Sequence, residues 1–123
     1  MNSGLASKVV VDTNSLIYSI EHRANLRELL LELPEVKGIM VPECVYRELR
    51  AMAGSMKFAQ GALELSEKFE RIPGEGYADD CILEIAKAGH FFVLSNDRAL
   101  LARAKEAGIR AITIRGNRKV EFV

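Results

Sequence analysis

Two stretches decide the architecture: Lys8-Val9-Val10-Val11-Asp12-Thr13-Asn14 and Phe91-Phe92-Val93-Leu94-Ser95-Asn96-Asp97-Arg98. Each opens on a short apolar run of β-branched or aromatic residues, which predicts a strand buried on both faces. Each run gives way to polar residues that include an acid, and a helical apolar pattern follows. Alternating strands and helices predict an α/β fold, a three-layer α/β/α sandwich around a mainly parallel sheet. Sites in such folds gather beyond the carboxyl ends of the strands. Asp12 and Asp97, delivered there by two strands, would share one crevice.

Working outward, residues 1–7 read as a loose lead-in and 8–123 as a single domain. Asn14 or Ser15 can cap a helix carrying Leu16, Ile17 and Ile20, although Asp12 can also cap it. Asn25 caps a second helix, with Leu26, Leu29, Leu30 and Leu33 on one face, stopped by Pro34. A strand over 38–41 leads to Pro42, where a helix with Val45, Leu49 and Met52 begins. Gly54 and Ser55 break that helix, and another is expected over 56–69, followed by a loop over 72–76. A helix over 79–87 ends at Gly89, and a strand follows over 91–94. A helix over 98–107, a strand over 110–114 and an edge strand over 120–123 complete the chain.

The 123 residues are 49% hydrophobic, enough for a real core. Lys+Arg and Asp+Glu both count 17, so the chain as a whole is no general polyanion binder. The balance conceals a basic C-terminal stretch of Arg98, Arg103, Lys105, Arg110, Arg115, Arg118 and Lys119 against Glu106 and Glu121. Such a stretch suits a phosphate-backed partner, or is a set of solvated helix and loop charges. Cys44, Cys81, His22 and His90 make no zinc spacing. The cysteines read as small core residues kept reduced, which together with the lack of any membrane-length apolar run predicts a cytoplasmic protein without membrane contact.

Two further acids stand on predicted helices. Glu48 has Cys44, Val45 and Met52 near its face, so it borders the core, although a helix glutamate is more often solvated. Asp79 and Asp80 open a helix, where the positive helix end alone explains at least one of them. They point about 100° apart, so Asp79 is the expected ligand and Asp80 a supporting or alternate one. Asp97 is an attractive N-cap as well as a ligand candidate. Thr13, Asn14 and Ser95 can orient these carboxylates. A cluster of four acids repels itself unless hard cations neutralise it, and oxygen-ligated Mg²⁺ or Mn²⁺, one or two ions, is the natural guest. There is no Walker loop, GxGxxG or GxSxG, which disfavours Gly-rich nucleotide cradles and nucleophilic triads.

Val-Val-Val-Asp12-Thr13-Asn14, Tyr46-Arg47-Glu48-Leu49, Tyr77-Ala78-Asp79-Asp80-Cys81-Ile82 and Ser95-Asn96-Asp97-Arg98 together resemble the PIN-domain nuclease family across nearly the whole chain. The pattern is most similar to the branch that acts in small-subunit ribosomal RNA processing. The resemblance implies a compact α/β/α sandwich and divalent-metal-dependent RNA cleavage. It places the acidic ligands on Asp12, Glu48, Asp79 and Asp97, with Asp80 as the accompanying acid. The expected function is an endoribonuclease acting on RNA, with precursor ribosomal RNA as the substrate. Arg98, Arg47 and Arg50 are the candidate phosphate contacts, and a homodimer is a further expectation. Two alternatives use the same fold: a catalytically silent RNA-binding ribosome-assembly factor, and the toxin of a toxin–antitoxin pair.

Overall fold

A computed structural model describes residues 8–116 and 119–123. The lead-in over 1–7 and Arg118 lie outside the described residues. The elements are β1 (Lys8–Val11), α1 (Thr13–Glu21), α2 (Leu26–Leu31), β2 (Gly38–Pro42), α3 (Glu43–Met52), α4 (Ala59–Ser66), β3 (Glu70–Ile72), α5 (Ala78–Gly89), β4 (Phe92–Leu94), α6 (Arg98–Glu106), β5 (Ala111–Arg115) and β6 (Lys119–Phe122).

The six strands form one sheet in the order β3-β2-β1-β4-β5-β6. All pairings are parallel except β5 with β6. α1 packs with α3 and α4, and α5 packs with α6, giving the expected three layers. β1 is central, and Val9, Val10 and Val11 are all 0% exposed, as a strand covered on both faces requires. The chain leaves β1 for β2 on one side and returns through β4 on the other. The switch in direction therefore falls between β1 and β4, where parallel sheets open a crevice at their carboxyl ends. Val11 lies opposite Leu94 in that pairing, so Asp12 and Ser95 meet at the crevice.

Several expectations need correction. The cap of α1 is Asp12, whose side chain accepts from the Ser15 N–H; Asn14 and Ser15 lie inside the helix. The helix expected over 56–69 is shorter, because Phe58 takes a left-handed conformation at φ 70° before α4 starts. It also stops at Ser66, and β3 (Glu70–Ile72) follows where no strand was expected, taking in Ile72 from the expected loop. β3 is three residues long, charged, and pairs on one side only, so it shows no apolar signal; short charged strands are how sheet edges avoid further pairing. Gly89 stays within α5 while His90 takes the left-handed cap at φ 58°. Gly89 is needed for a different reason: a Cβ there would lie 2.2 Å from the Phe91 ring.

The largest correction concerns the cysteines. Cys44 and Cys81 are bonded as a disulfide, with Cα atoms 6.6 Å apart, not separate reduced core residues. Topology is the cause. β2 and β3 are parallel neighbours with Pro42 opposite Ile72. The helices that follow them, α3 and α5, touch each other, and each carries its cysteine in its first turn.

No helix among the described residues is long and apolar enough to cross a membrane. The exposed large apolar side chains among the described residues are Leu31, Met56, Tyr77 and Val123.

Candidate active site

Asp12 is the fixed point of the site. It is 4% exposed, and as N-cap of α1 its Oδ1 accepts from the Ser15 N–H at 2.8 Å. Its Oδ2 accepts from the Ser95 hydroxyl at 2.5 Å. The backbone closes the same seam, with the Asp12 N–H donating to the Leu94 carbonyl at 3.2 Å. Burial raises the Asp12 pKa above its ordinary 3.8; the Ser15 and Ser95 hydrogen bonds oppose that rise, and the charge of Asp79 adds to it.

Ser95, 0% exposed, also accepts from the Asp97 N–H at 3.0 Å. One hydroxyl thus couples the acid after β1 to the acid after β4. Asp97 caps α6, its Oδ1 accepting from the Ala99 and Leu100 N–H groups at 2.8 and 3.1 Å. Asp12 and Asp97 each cap a helix and each line the same hollow. Asn96 was missed in the reading of the sequence. Its Oδ1 accepts from the Ile114 N–H at 2.9 Å and from the Thr113 hydroxyl at 2.5 Å, and its Nδ2 donates to the Ile114 carbonyl at 3.1 Å. These bonds tie the Ser95–Asp97 turn to β5. The signal was an Asn between two polar turn residues, a type that pairs readily with nearby backbone.

Glu48 and Asp79 approach from α3 and α5. The Thr13 hydroxyl donates a short hydrogen bond to Glu48 Oε1, so Thr13 joins the first residue of α1 to the acid of α3. Asp79 has no hydrogen bond among the described residues, and its pKa is raised, first by partial burial, then by the charges of Asp97, Glu48 and Asp80, against the opposing charge of Arg103. A hollow of about 190 Å³ is lined by Asp12, Thr13, Asn14, Glu48, Met52, Ala78, Asp79 and Asp97. All four acids, with Thr13 and Asn14, therefore share one cavity, and Ser95 supports it from beneath.

Asp80 is not brought to that hollow. It forms an ion pair with Arg103 at 2.6 Å on the outer side of α5, and its charge reaches the site only through Asp79. The candidate phosphate contacts are all exposed. Arg98 follows Asp97 directly, Arg47 donates to the Gly74 carbonyl at 2.9 Å, and the Arg50 guanidinium lies 5.8 Å from the Tyr46 ring. Arg103 pairs with Asp80 and Arg115 with Glu121, while Arg110 stacks 4.0 Å from the centre of the Phe122 ring.

The donor chemistry fits a hard divalent cation. Four carboxylates line one small polar hollow; the charges of Asp97 and Glu48 make Asp79 harder to ionise, and that of Asp79 adds to the rise at Asp12, effects that a cation reverses. Among the described residues no group of three or more Asp, Glu, His or Cys side chains stands arranged to hold a metal. Glu48 and Asp79 are both exposed.

Fold and site together define an α/β protein with an acidic pocket at the switch point of its sheet. The chain belongs to the PIN like domain family, whose sequence model matches residues 9–117. It is 29% identical over 116 residues to ribonuclease VapC9 of Archaeoglobus fulgidus, covering 90% of this chain and 85% of that one. Its structure is similar to that of the PIN domain endonuclease Utp24, with a TM-score of 0.84 and 26% identity over 98% of this chain and 94% of that one.

Proposed function

We propose that the protein is a divalent-metal-dependent endoribonuclease. The observation that carries this reading is the convergence of Asp12, Glu48, Asp79 and Asp97 on one hollow at the β1–β4 switch point. Likeness to a ribonuclease and to a PIN domain endonuclease supports it. Mg²⁺ or Mn²⁺, one or two ions, would be held by the four carboxylates and would supply an activated water and charge stabilisation for the leaving oxygen.

This chain's own residues do the positioning. Ser15 and Ser95 hold the Asp12 carboxylate in one orientation. Capping by Asp97 occupies Oδ1 and leaves Oδ2 for the hollow. Thr13 holds Glu48 at the opposite wall. Arg98, exposed beside Asp97, would meet a backbone phosphate, with Arg47 and Arg50 as further contacts. Resemblance to the branch acting in small-subunit ribosomal RNA processing makes precursor ribosomal RNA the substrate of this reading. The protein would work in the cytoplasm.

The test is cleavage of structured RNA with Mn²⁺ by the native protein and by Asp12→Asn and Asp97→Asn. Loss of cleavage in both variants, with RNA binding retained, supports the reading. Unchanged cleavage places the activity elsewhere. Salt-dependent RNA binding with no cleavage under any divalent ion would instead favour a silent assembly factor.

A further inference from the structure

We propose that the Cys44–Cys81 disulfide is a redox-set positioning device for the acidic hollow: closed, it holds the helix of Asp79 against the helix of Glu48, and opened, it weakens divalent-cation binding. This rests on the nuclease reading of the same site.

The four acids are not tethered equally. Asp12 and Asp97 are N-caps locked by backbone N–H groups of their own helices, and Glu48 is anchored by Thr13. Asp79 has no hydrogen bond among the described residues, and the α5 cap, Tyr77, makes no side-chain capping bond. The place of Asp79 is therefore the place of the first turn of α5. Besides the exposed Asp80–Arg103 ion pair to α6, two links tie that turn to α3. One is the hydrogen bond from Arg47 on α3 to the Gly74 carbonyl. The other is the disulfide, which joins Cys81, two residues after Asp79, to Cys44, one helical turn before Glu48 and on the same helix face.

Like charges on Asp79 and Glu48 push the two helix ends apart, and a covalent link resists that push before any cation arrives. Holding the ligands close in advance lowers the ordering cost of binding. The bridge is also strapped down. Cys44 and Cys81 are 3% and 2% exposed, and a Cβ on Gly74 would lie 2.6 Å from Cys81 Sγ. The loop over 73–77 must therefore lift before the bridge can exchange. In closing, each thiol gives up its hydrogen, one S–S bond forms, and a low-molecular-weight disulfide accepts two electrons and two protons and leaves as two thiols. Opening is the reverse exchange.

The experiment uses the full chain purified without reductant. Thiol counting and intact mass establish the bridge. Mn²⁺ affinity is then measured by calorimetry on the oxidised protein, on the protein reduced by a water-soluble phosphine, and on Cys44→Ala/Cys81→Ala, with circular dichroism to confirm folding. The expected result is about tenfold weaker Mn²⁺ binding without the bridge, the scale carried by groups that orient metal ligands. Faster hydrogen exchange confined to 73–82 should accompany it. Equal affinity in the oxidised and fully reduced protein overturns the proposal, as do two free thiols in the unreduced protein. Redox-dependent Mn²⁺ binding without RNA cleavage supports the device while overturning the nuclease reading. Absence of Mn²⁺ binding in either state overturns both.

Discussion

Ser95 stands between Asp12 and Asp97: its hydroxyl donates to Asp12 Oδ2 at 2.5 Å, and the same oxygen accepts from the Asp97 N–H at 3.0 Å. A buried serine thus sets both strand-end acids, although it does not line the hollow itself. Ser95→Ala leaves the Asp12 carboxylate one partner short and should destabilise the fold by about 1–3 kcal/mol. Metal affinity should fall by about 10–100-fold through lost orientation. Chemical denaturation and Mn²⁺ calorimetry read the two effects, and a stability loss with unchanged affinity would restrict Ser95 to a structural role.

Asp12→Asn should separate stability from function. Burial raises the Asp12 pKa above 3.8, so the folded chain holds this proton more tightly than the unfolded chain. The contribution of Asp12 therefore makes the protein less stable as pH rises from 3.8 to the raised value, and leaves a constant penalty above it. Asparagine keeps the acceptor for the Ser15 N–H and removes the charge. With chelator present at neutral pH the variant should melt higher than the native protein. Added Mn²⁺ should raise the native melting temperature and leave that of the variant unmoved. A variant that melts lower with chelator would show that hydrogen bonding outweighs desolvation at this carboxylate.

Asp97→Asn should behave differently, because Asn caps helices about as well as Asp. Its stability should stay within about 0.5 kcal/mol of the native protein, while RNA cleavage is lost. Asp97→Ala should cost about 1 kcal/mol in addition. Thermal melts beside the cleavage assay distinguish capping from cation binding.

Protons and cations compete for the hollow. The raised pKa values of Asp12 and Asp79 mean that divalent binding at pH values up to those raised values must displace protons. Mn²⁺ affinity should rise with pH across that range. Calorimetry in two buffers of different ionisation enthalpy should record proton release that falls as pH rises. A pH-independent affinity would mean that neither acid is a ligand.

Removal of the disulfide carries a stability cost of its own. The bridge spans a sequence separation of 37, for which restriction of the unfolded chain corresponds to about 2–4 kcal/mol. Phosphine reduction should lower the denaturation midpoint accordingly.

Much of this was legible in the residues. Val9-Val10-Val11 and Phe92-Val93-Leu94 are apolar on both faces, so they read as central strands, and the acids beyond them were found at once. The rest depended on information that local patterns lack. Glu70-Arg71-Ile72 carries two charges in three residues and joins the sheet only because β2 offers it an edge. Cys44 and Cys81 read as independent small core residues, because their meeting follows from the adjacency of β2 and β3. Asp79 and Asp80 were separable in principle by their angular spacing. Asp79 was the favoured one and it lines the hollow, while Asp80 pairs with Arg103 on α6, an element whose position no local reading supplies.

The central claim is that Asp12, Glu48, Asp79 and Asp97 share divalent cations. The most direct measurement is a crystal soaked in Mn²⁺ and read for anomalous scattering. The account predicts one or two peaks within the hollow, each bonded to carboxylate oxygens from at least two of these residues. Peaks confined to other surfaces, with these carboxylates left unliganded at saturating Mn²⁺, would contradict it.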